Sequence, residues 1–184
     1  MKRTGLGWLL AVLLGVLLAF LGFWSAGAIL ALPSSNPQRA DAVVMLQAQI
    51  GGLVYEEFVR NNIDSTRLVL DAIKQHQVPY LVHISSSVLE SAADDFYTNT
   101  KRQQEEMVLA SGIPNIVLRP TLMFGWFDRK HLGWLSRFMK KVPIFPVPGH
   151  GRYMRQPLYV GDFCDIIISC IESRKQDGVY NISG

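Results

Sequence analysis

An apolar run, Tyr80-Leu81-Val82-His83-Ile84, stops in three hydroxyls, Ser85-Ser86-Ser87, and is followed by Tyr97-Thr98-Asn99-Thr100-Lys101. The run reads as a short buried strand ending in a loop. If Tyr97 opens a helix, Lys101 lies one turn later on the same face. A second apolar run, Asn115-Ile116-Val117-Leu118, then leads into Arg119-Pro120-Thr121. This order predicts parallel strands joined by a helix, with a ligand beyond their carboxyl ends. An ammonium near a phenol stabilises the phenolate, so a tyrosine in such a pair exchanges its proton nearer neutrality than its free pKa of about 10. With serine hydroxyls beside it, the pair reads as an acid/base trio for interconverting a carbonyl and an alcohol.

The flanking chain supports the same architecture. Ala42-Val43-Val44-Met45-Leu46 reads as a compact strand, and Gln47 to Leu53 as a loop through Gly51-Gly52. Val59, Ile63, Leu70 and Ile73 then form one helical stripe, with Thr66 between them. Val78-Pro79 closes that helix, completing a strand–helix–strand unit. The helix after Tyr97 carries Met107 and Val108 and ends at Gly112-Ile113-Pro114. Phe124 to Lys141 reads as mostly helical and basic, lining a substrate cleft. Residues 144–149 read as a proline-punctuated loop or edge strand. Gln156–Val160 reads as a short strand leading to Asp162, the expected cap of a helix over Phe163–Glu172.

A chain of 184 residues is long enough for one domain with a sizeable core. Its net charge of +3 is mild, and its basic residues read as scattered, which argues against nucleic acid as a partner. Cys164 and Cys170 fall on different sides of an apolar helical stretch and read as core thiols. His131 and His150 have no ligand-spaced partners, so no metal site is expected.

Residues 5–33 carry no charge and are rich in leucine, glycine and alanine, with Trp8 and Trp24 toward the two ends. That length crosses a bilayer as a helix, and the tryptophans suit its interfaces. We therefore expect a transmembrane segment or uncleaved signal anchor over 1–33, a linker over 34–40 and a globular part over 41–184. A cleaved signal peptide, cut near Ser25-Ala26-Gly27-Ala28, is the competing reading. Lys2 and Arg3 favour an inside amino terminus and an outside globular part. This small charge bias leaves the side of the globular part open.

From about Ala40 to Gly184 the sequence resembles the extended short-chain dehydrogenase/reductase family, the NAD-dependent epimerases and dehydratases that act mostly on nucleotide sugars. The matching pieces are Val43–Ala48, Asn62–Thr66 with Val69–Ala72, Val82–Ser87, the Tyr97/Lys101 pair, Leu118–Thr121 with Phe124-Gly125, Gln156–Asp162, and Gly178–Gly184. Six motifs besides the pair, in the family's order, are far more specific than any one of them.

The resemblance implies that Tyr97 is the general acid/base, that Lys101 orients the nicotinamide ribose and lowers the tyrosine's pKa, and that a serine holds the substrate hydroxyl. Ser86 is the choice for that serine, with Ser85 and Ser87 as alternatives. It further implies that Leu46 and Ala48 form the turn beside the cofactor, that Asn62 is a polar residue of the crossover helix, and that Pro120 and Thr121 place backbone near the nicotinamide. The implied cofactor is NAD or NADP, and the implied substrate a nucleotide sugar. Gln47 stands where a small residue is usual and would crowd the cofactor. Arg152 and Arg155 suit a nucleotide diphosphate, or form a solvated basic loop. His83 is given no catalytic part.

The pattern departs from the family at its start. A dinucleotide site uses a first strand, a glycine-rich turn opening a helix, and an acidic residue about 20 positions on. Gly5, Gly7, Gly15 and Gly22 lie instead inside the uncharged run, so a pyrophosphate lacks the helix amino terminus that normally receives it. The expected fold is thus α/β, an incomplete Rossmann-like parallel sheet with an N-terminal transmembrane helix and an exposed edge at Val43–Leu46. Two functions fit. One is a single-pass, membrane-attached NAD(P)-dependent epimerase/dehydratase-like oxidoreductase acting on a nucleotide sugar or related hydroxy/keto substrate, its site completed by an oligomer or a complementing chain. The other is a noncatalytic relative serving in assembly or as a structural membrane-attached protein.

Overall fold

The computed structural model describes residues 40–126, 128–142, 144, 149–152, 154–176 and 178–184. The expected membrane segment, the linker up to residue 39 and the glycines within the uncharged run lie outside these residues. Among the described residues no helix is long and apolar enough to cross a membrane.

Four strands, β1 (Val43–Met45), β2 (Leu81–Ile84), β3 (Asn115–Pro120) and β6 (Val179–Ile182), form one sheet in the order β1-β2-β3-β6. Every pairing is parallel, with Met45 opposite His83, Ile84 opposite Leu118, and Pro120 opposite Ile182. Parallel neighbours need crossovers, and helices supply them. Between β1 and β2 the chain winds through α1 (Tyr55–Phe58), a π-helical stretch (Val59–Asp64) and α2 (Ser65–Gln75). Between β2 and β3 it makes a 3-10 turn (Ser87–Glu90) and α3 (Phe96–Leu109). After β3 come β4 (Met123–Phe124), α4 (Leu132–Met139), β5 (Leu158–Tyr159) and α5 (Val160–Ser173), with β4 and β5 paired in parallel.

Strand alternation sorts the core into two layers. Val82, Ile84, Ile116 and Leu118 meet Phe163 and Cys170 of α5 on one face of the sheet. Leu81 and Val117 meet Leu70 and Ile73 of α2 and Val108 of α3 on the other. Burying each of these large side chains contributes about 1.5–3 kcal/mol. Of the expected stripe on the crossover helix, Ile63, Leu70 and Ile73, with Thr66 between, are buried, whereas Val59 is half-buried. Among the described strands β1 pairs with β2 alone.

Several local expectations are corrected. Among the described residues from Phe124 to Lys141 only Leu132–Met139 is helical, and Asp128 accepts from the backbone N–H groups of Lys130, His131 and Gly133, looping the chain into the start of that helix. Asp162 does not cap its helix. That helix begins at Val160, so the carboxylate lies inside the first turn, where it still complements the helix dipole. Cys164 is exposed and only Cys170 is a core thiol, since positions six apart cannot share one helical face. Gly125, at φ 145°, sits where an added Cβ would lie 2.5 Å from Val160 Cγ1, so a larger residue would push β4 away from the start of α5.

Candidate active site

Helix α3 is placed by its first residues. Asp95 is its N-cap and accepts the N–H of Thr98 at 2.7 Å, so Tyr97 falls in the first turn and Lys101 one turn later. Along this helix Lys101, Gln104, Glu105 and Val108 recur at the spacing of a core-facing stripe, and all four are buried. Three of the four are polar, which burial tolerates only if each finds partners. Each does.

The Lys101 ammonium donates to the carbonyl oxygen of Ile84 at 2.9 Å and to Gln104 Oε1. Burial pushes its pKa down to about 8, against the partial support of the Glu105 carboxylate. The Gln104 amide donates in turn to Thr66 Oγ1 at 2.7 Å, and at longer range to the carbonyls of Asn62 and Gln47. Asn62, fully buried in the π-helical stretch, accepts the Gln49 N–H at 2.6 Å and donates to Gln49 O at 3.3 Å and to Thr100 Oγ1 at 2.9 Å. A π-helical insertion rotates a residue out of the regular helical phase. Here it presents Asn62 to the loop that follows β1.

Strand β2 ends at Ile84, and the three serines then part ways. Ser85 is buried and donates to Glu105 Oε2 at 2.5 Å. Ser86 is half-buried and caps the 3-10 turn by accepting the Val88 N–H at 3.3 Å, which leaves its own hydroxyl proton available. Ser87 opens that turn. At the end of β3, Arg119 Nη2 and Nε donate to Glu105 Oε1 at 2.5 Å and Oε2 at 3.1 Å, and Nη1 donates to Glu90. The Glu105 hydrogen bonds and charge hold the Arg119 guanidinium above its ordinary pKa.

The residues singled out in the sequence thus divide by what they touch. Tyr97, half-buried, has no hydrogen-bond partner of its phenol among the described residues. Lys101 turns into the protein toward Ile84 and Gln104. Leu46, 61% exposed, and half-buried Ala48 follow the edge strand β1. Pro120 is buried, and the Thr121 hydroxyl donates to Gln156 O at 2.6 Å. Half-buried Gln47 has its Nε2 buried without a partner. Arg152 and Arg155 are exposed. His83 is fully buried with neither ring nitrogen partnered, and burial first, then the Lys101 charge, pushes its pKa well below the ordinary value. Among the described residues no group of side chains could hold a metal ion.

Sequence reasoning named Thr66 and Arg119 within motifs but gave them no role, and it passed over Thr100, Gln104 and Glu105. A signal for two of them was present. Gln104 and Glu105 follow Lys101 at helical spacings of three and four, which marks a polar stripe on a face that must meet the sheet.

The comparisons with known proteins agree with the fold. A curated relative, dTDP-glucose 4,6-dehydratase of Streptomyces niveus, is 28% identical over 154 residues, covering 69% of this chain and 44% of its own. UDP-glucuronic acid 4-epimerase of Bacillus cereus, solved with NAD, superposes with a TM-score of 0.66 at 25% identity, over 78% of this chain and 54% of that one. MoeE5, solved with UDP-glucose and NAD, gives 0.64 at 24% identity, over 78% and 56%. The chain therefore spans about half the length of the relatives it matches. The sequence profile of the NAD dependent epimerase/dehydratase family matches residues 32–183. With its parallel sheet and its tyrosine and lysine one turn apart on α3, the chain belongs to that NAD dependent epimerase/dehydratase family.

Proposed function

We propose that this chain carries the proton-transfer end of an NAD(P)-dependent epimerase or dehydratase acting on a nucleotide sugar. The observation that carries the reading is the hydrogen bond from Lys101 Nζ to Ile84 O. It ties the first turns of α3, and with them Tyr97, to the strand end that leads into Ser86. The nucleotide-sugar class is supported by the substrates named for the relatives, a dTDP-sugar in one and UDP-sugars in two others.

The residues present fit the reacting end of a nicotinamide cofactor. The exits of β1, β2 and β3 lie side by side in register, and the exposed Leu46 and the Ser86 hydroxyl follow those exits, with Tyr97 in the first turn of the helix that Lys101 ties to the β2 end. NAD or NADP, when bound, supplies the hydride acceptor and donor for chemistry at a sugar carbon. Ser86 donates its free proton to the substrate oxygen and fixes its position. Tyr97 takes the hydroxyl proton as the carbonyl forms and returns it as the alcohol is restored. Lys101 acts through its charge and through its hold on the β2 exit. No glycine-rich turn for the adenosine end is read from the sequence, so cofactor affinity is the step to measure first.

The test is equilibrium binding of NADH and NADPH to the full chain in detergent, with Tyr97→Phe and Lys101→Met as controls and circular dichroism to verify folding. Saturable binding that weakens on loss of Lys101 supports the reading. A folded protein with affinity for neither cofactor overturns it. The same proposal places the protein at a membrane through the uncharged run of residues 5–33, supported by its length and lack of charge. Release of the full chain from membranes by alkaline carbonate would remove that part.

A further inference from the structure

Glu105 occupies an unusual position for a carboxylate. Its side chain is 6% exposed, and it is shared by two segments far apart in sequence. Ser85, the first residue beyond β2, donates to Oε2, and Arg119, the last residue before Pro120 and Thr121, donates to both oxygens. Arg119 then reaches on to Glu90, the last residue of the 3-10 turn that Ser86 caps. The Ser85 N–H donates to Leu118 O at 2.8 Å, so the two strand exits are also joined by backbone. Glu105 lies one helical turn beyond Lys101 and two beyond Tyr97.

From this arrangement we infer that Glu105 and Arg119 are positioning residues, a clamp that sets the distance between Ser86, Tyr97 and the Pro120–Thr121 backbone. The inference rests on the proposed proton-transfer role of Tyr97 and Ser86. The physical argument is one of rigidity. A guanidinium fork matches a carboxylate at two points and so fixes orientation as well as distance. Ser85 is locked by Glu105 from the side and by Leu118 from the backbone, so the next residue, Ser86, leaves the sheet in one direction only. On β3 the same fork holds Arg119, and Thr121 is held by Ile182 O through its N–H at 2.9 Å. The backbone between them therefore has little freedom. Lysine in place of Arg119 keeps the charge and loses the fork, and glutamine in place of Glu105 keeps the shape and loses the charge.

The experiment compares the full chain with Arg119→Lys, Glu105→Gln and Glu90→Gln by amide hydrogen exchange, and by turnover with NAD and UDP-glucuronic acid as the probe. In Arg119→Lys and Glu105→Gln, exchange at residues 85–90 and 121–124 should quicken by about tenfold, the scale of a lost charge-assisted hydrogen bond. Exchange over 65–75 should hold. Turnover should fall through kcat by a similar factor of about ten, with KM within about twofold, because the clamp sets geometry rather than substrate contact. Glu90→Gln, which loses only the outer arm, should change exchange and kcat by less than about threefold. Uniform acceleration along the chain, or unchanged exchange at the two exits, overturns the clamp. If the wild-type chain neither binds cofactor nor turns over, the proposed function falls, and the exchange measurement still decides whether Glu105 and Arg119 rigidify the two exits.

Discussion

The ammonium of Lys101 and the carbonyl oxygen of Ile84 are hydrogen-bonded at 2.9 Å across seventeen positions of sequence. This contact joins the helix that bears Tyr97 to the strand that delivers Ser86, and it does so with a buried charge. A buried ammonium carries a desolvation cost, which shows in the lowered pKa of Lys101.

That cost has a pH signature. The folded pKa is about 8 against an ordinary 10.5. At pH values below 8 both states carry the proton, and the folded state bears the full penalty. Between 8 and 10.5 the unfolded chain binds more protons, so stability climbs with pH, by about 3 kcal/mol in total from this group. Lys101→Met should flatten that climb. Urea denaturation of both proteins at pH 8 and pH 10.5 measures the difference, and an equal climb in the variant would refute the assignment.

His83 predicts a second dependence, at lower pH. Its folded pKa lies well below the ordinary 6.5, so as pH falls below 6.5 the unfolded chain takes up a proton that the folded protein refuses. Stability is then lost with acidification. His83→Phe should remove this part of the acid sensitivity. It should also raise stability at pH 7 by about 1–3 kcal/mol, because two unpartnered buried nitrogens give way to an apolar ring. Thermal melts at pH 7 and pH 5 provide the check.

Tyr97→Phe removes one oxygen, from a phenol that has no hydrogen-bond partner among the described residues. The melting temperature and NADH affinity should therefore stay near wild type, while turnover of a nucleotide sugar falls about 10²–10⁴-fold, the usual contribution of a positioned acid/base. Turnover within about threefold of wild type would take the proton-transfer role away from this residue.

The two ion pairs of Arg119 should differ in weight. Arg119→Met leaves the Glu105 carboxylate buried without its counter-charge and should cost about 3–5 kcal/mol. Glu90, with 56% of its side chain exposed, sits in water, and Glu90→Gln should cost less than about 1 kcal/mol. Denaturant midpoints of the two variants decide whether burial sets the ranking.

The placement of the serines shows how far the sequence reaches. The run Ser85-Ser86-Ser87 marks a strand exit, because hydroxyls after an apolar run cannot continue a buried strand. Which serine faces the substrate is a matter of partners. Ser85 is taken by Glu105, a residue twenty positions away, and that contact leaves Ser86 and Ser87 as the hydroxyls with a proton to give. Tyr97 and Lys101 were likewise legible as neighbours on a helix face. The direction of the lysine, inward to Ile84 and Gln104, was not.

By itself, then, the sequence determined the strand–helix–strand unit of β1, α2 and β2, the helix that carries Tyr97 and Lys101 one turn apart, and the strand β3 that follows it. These follow from local periodicity and turn chemistry, which act over a few residues, whereas the short strand β4 was not foreseen. The tertiary structure alone decided that Asn62, Gln104 and Glu105 are buried, that Cys164 is exposed, that Asp162 lies inside its helix, and that Arg119 closes on Glu105. The physical reason is that helical period gives the side on which a residue lies, whereas its depth and hydrogen-bond partner are set by whichever distant segment packs against that side.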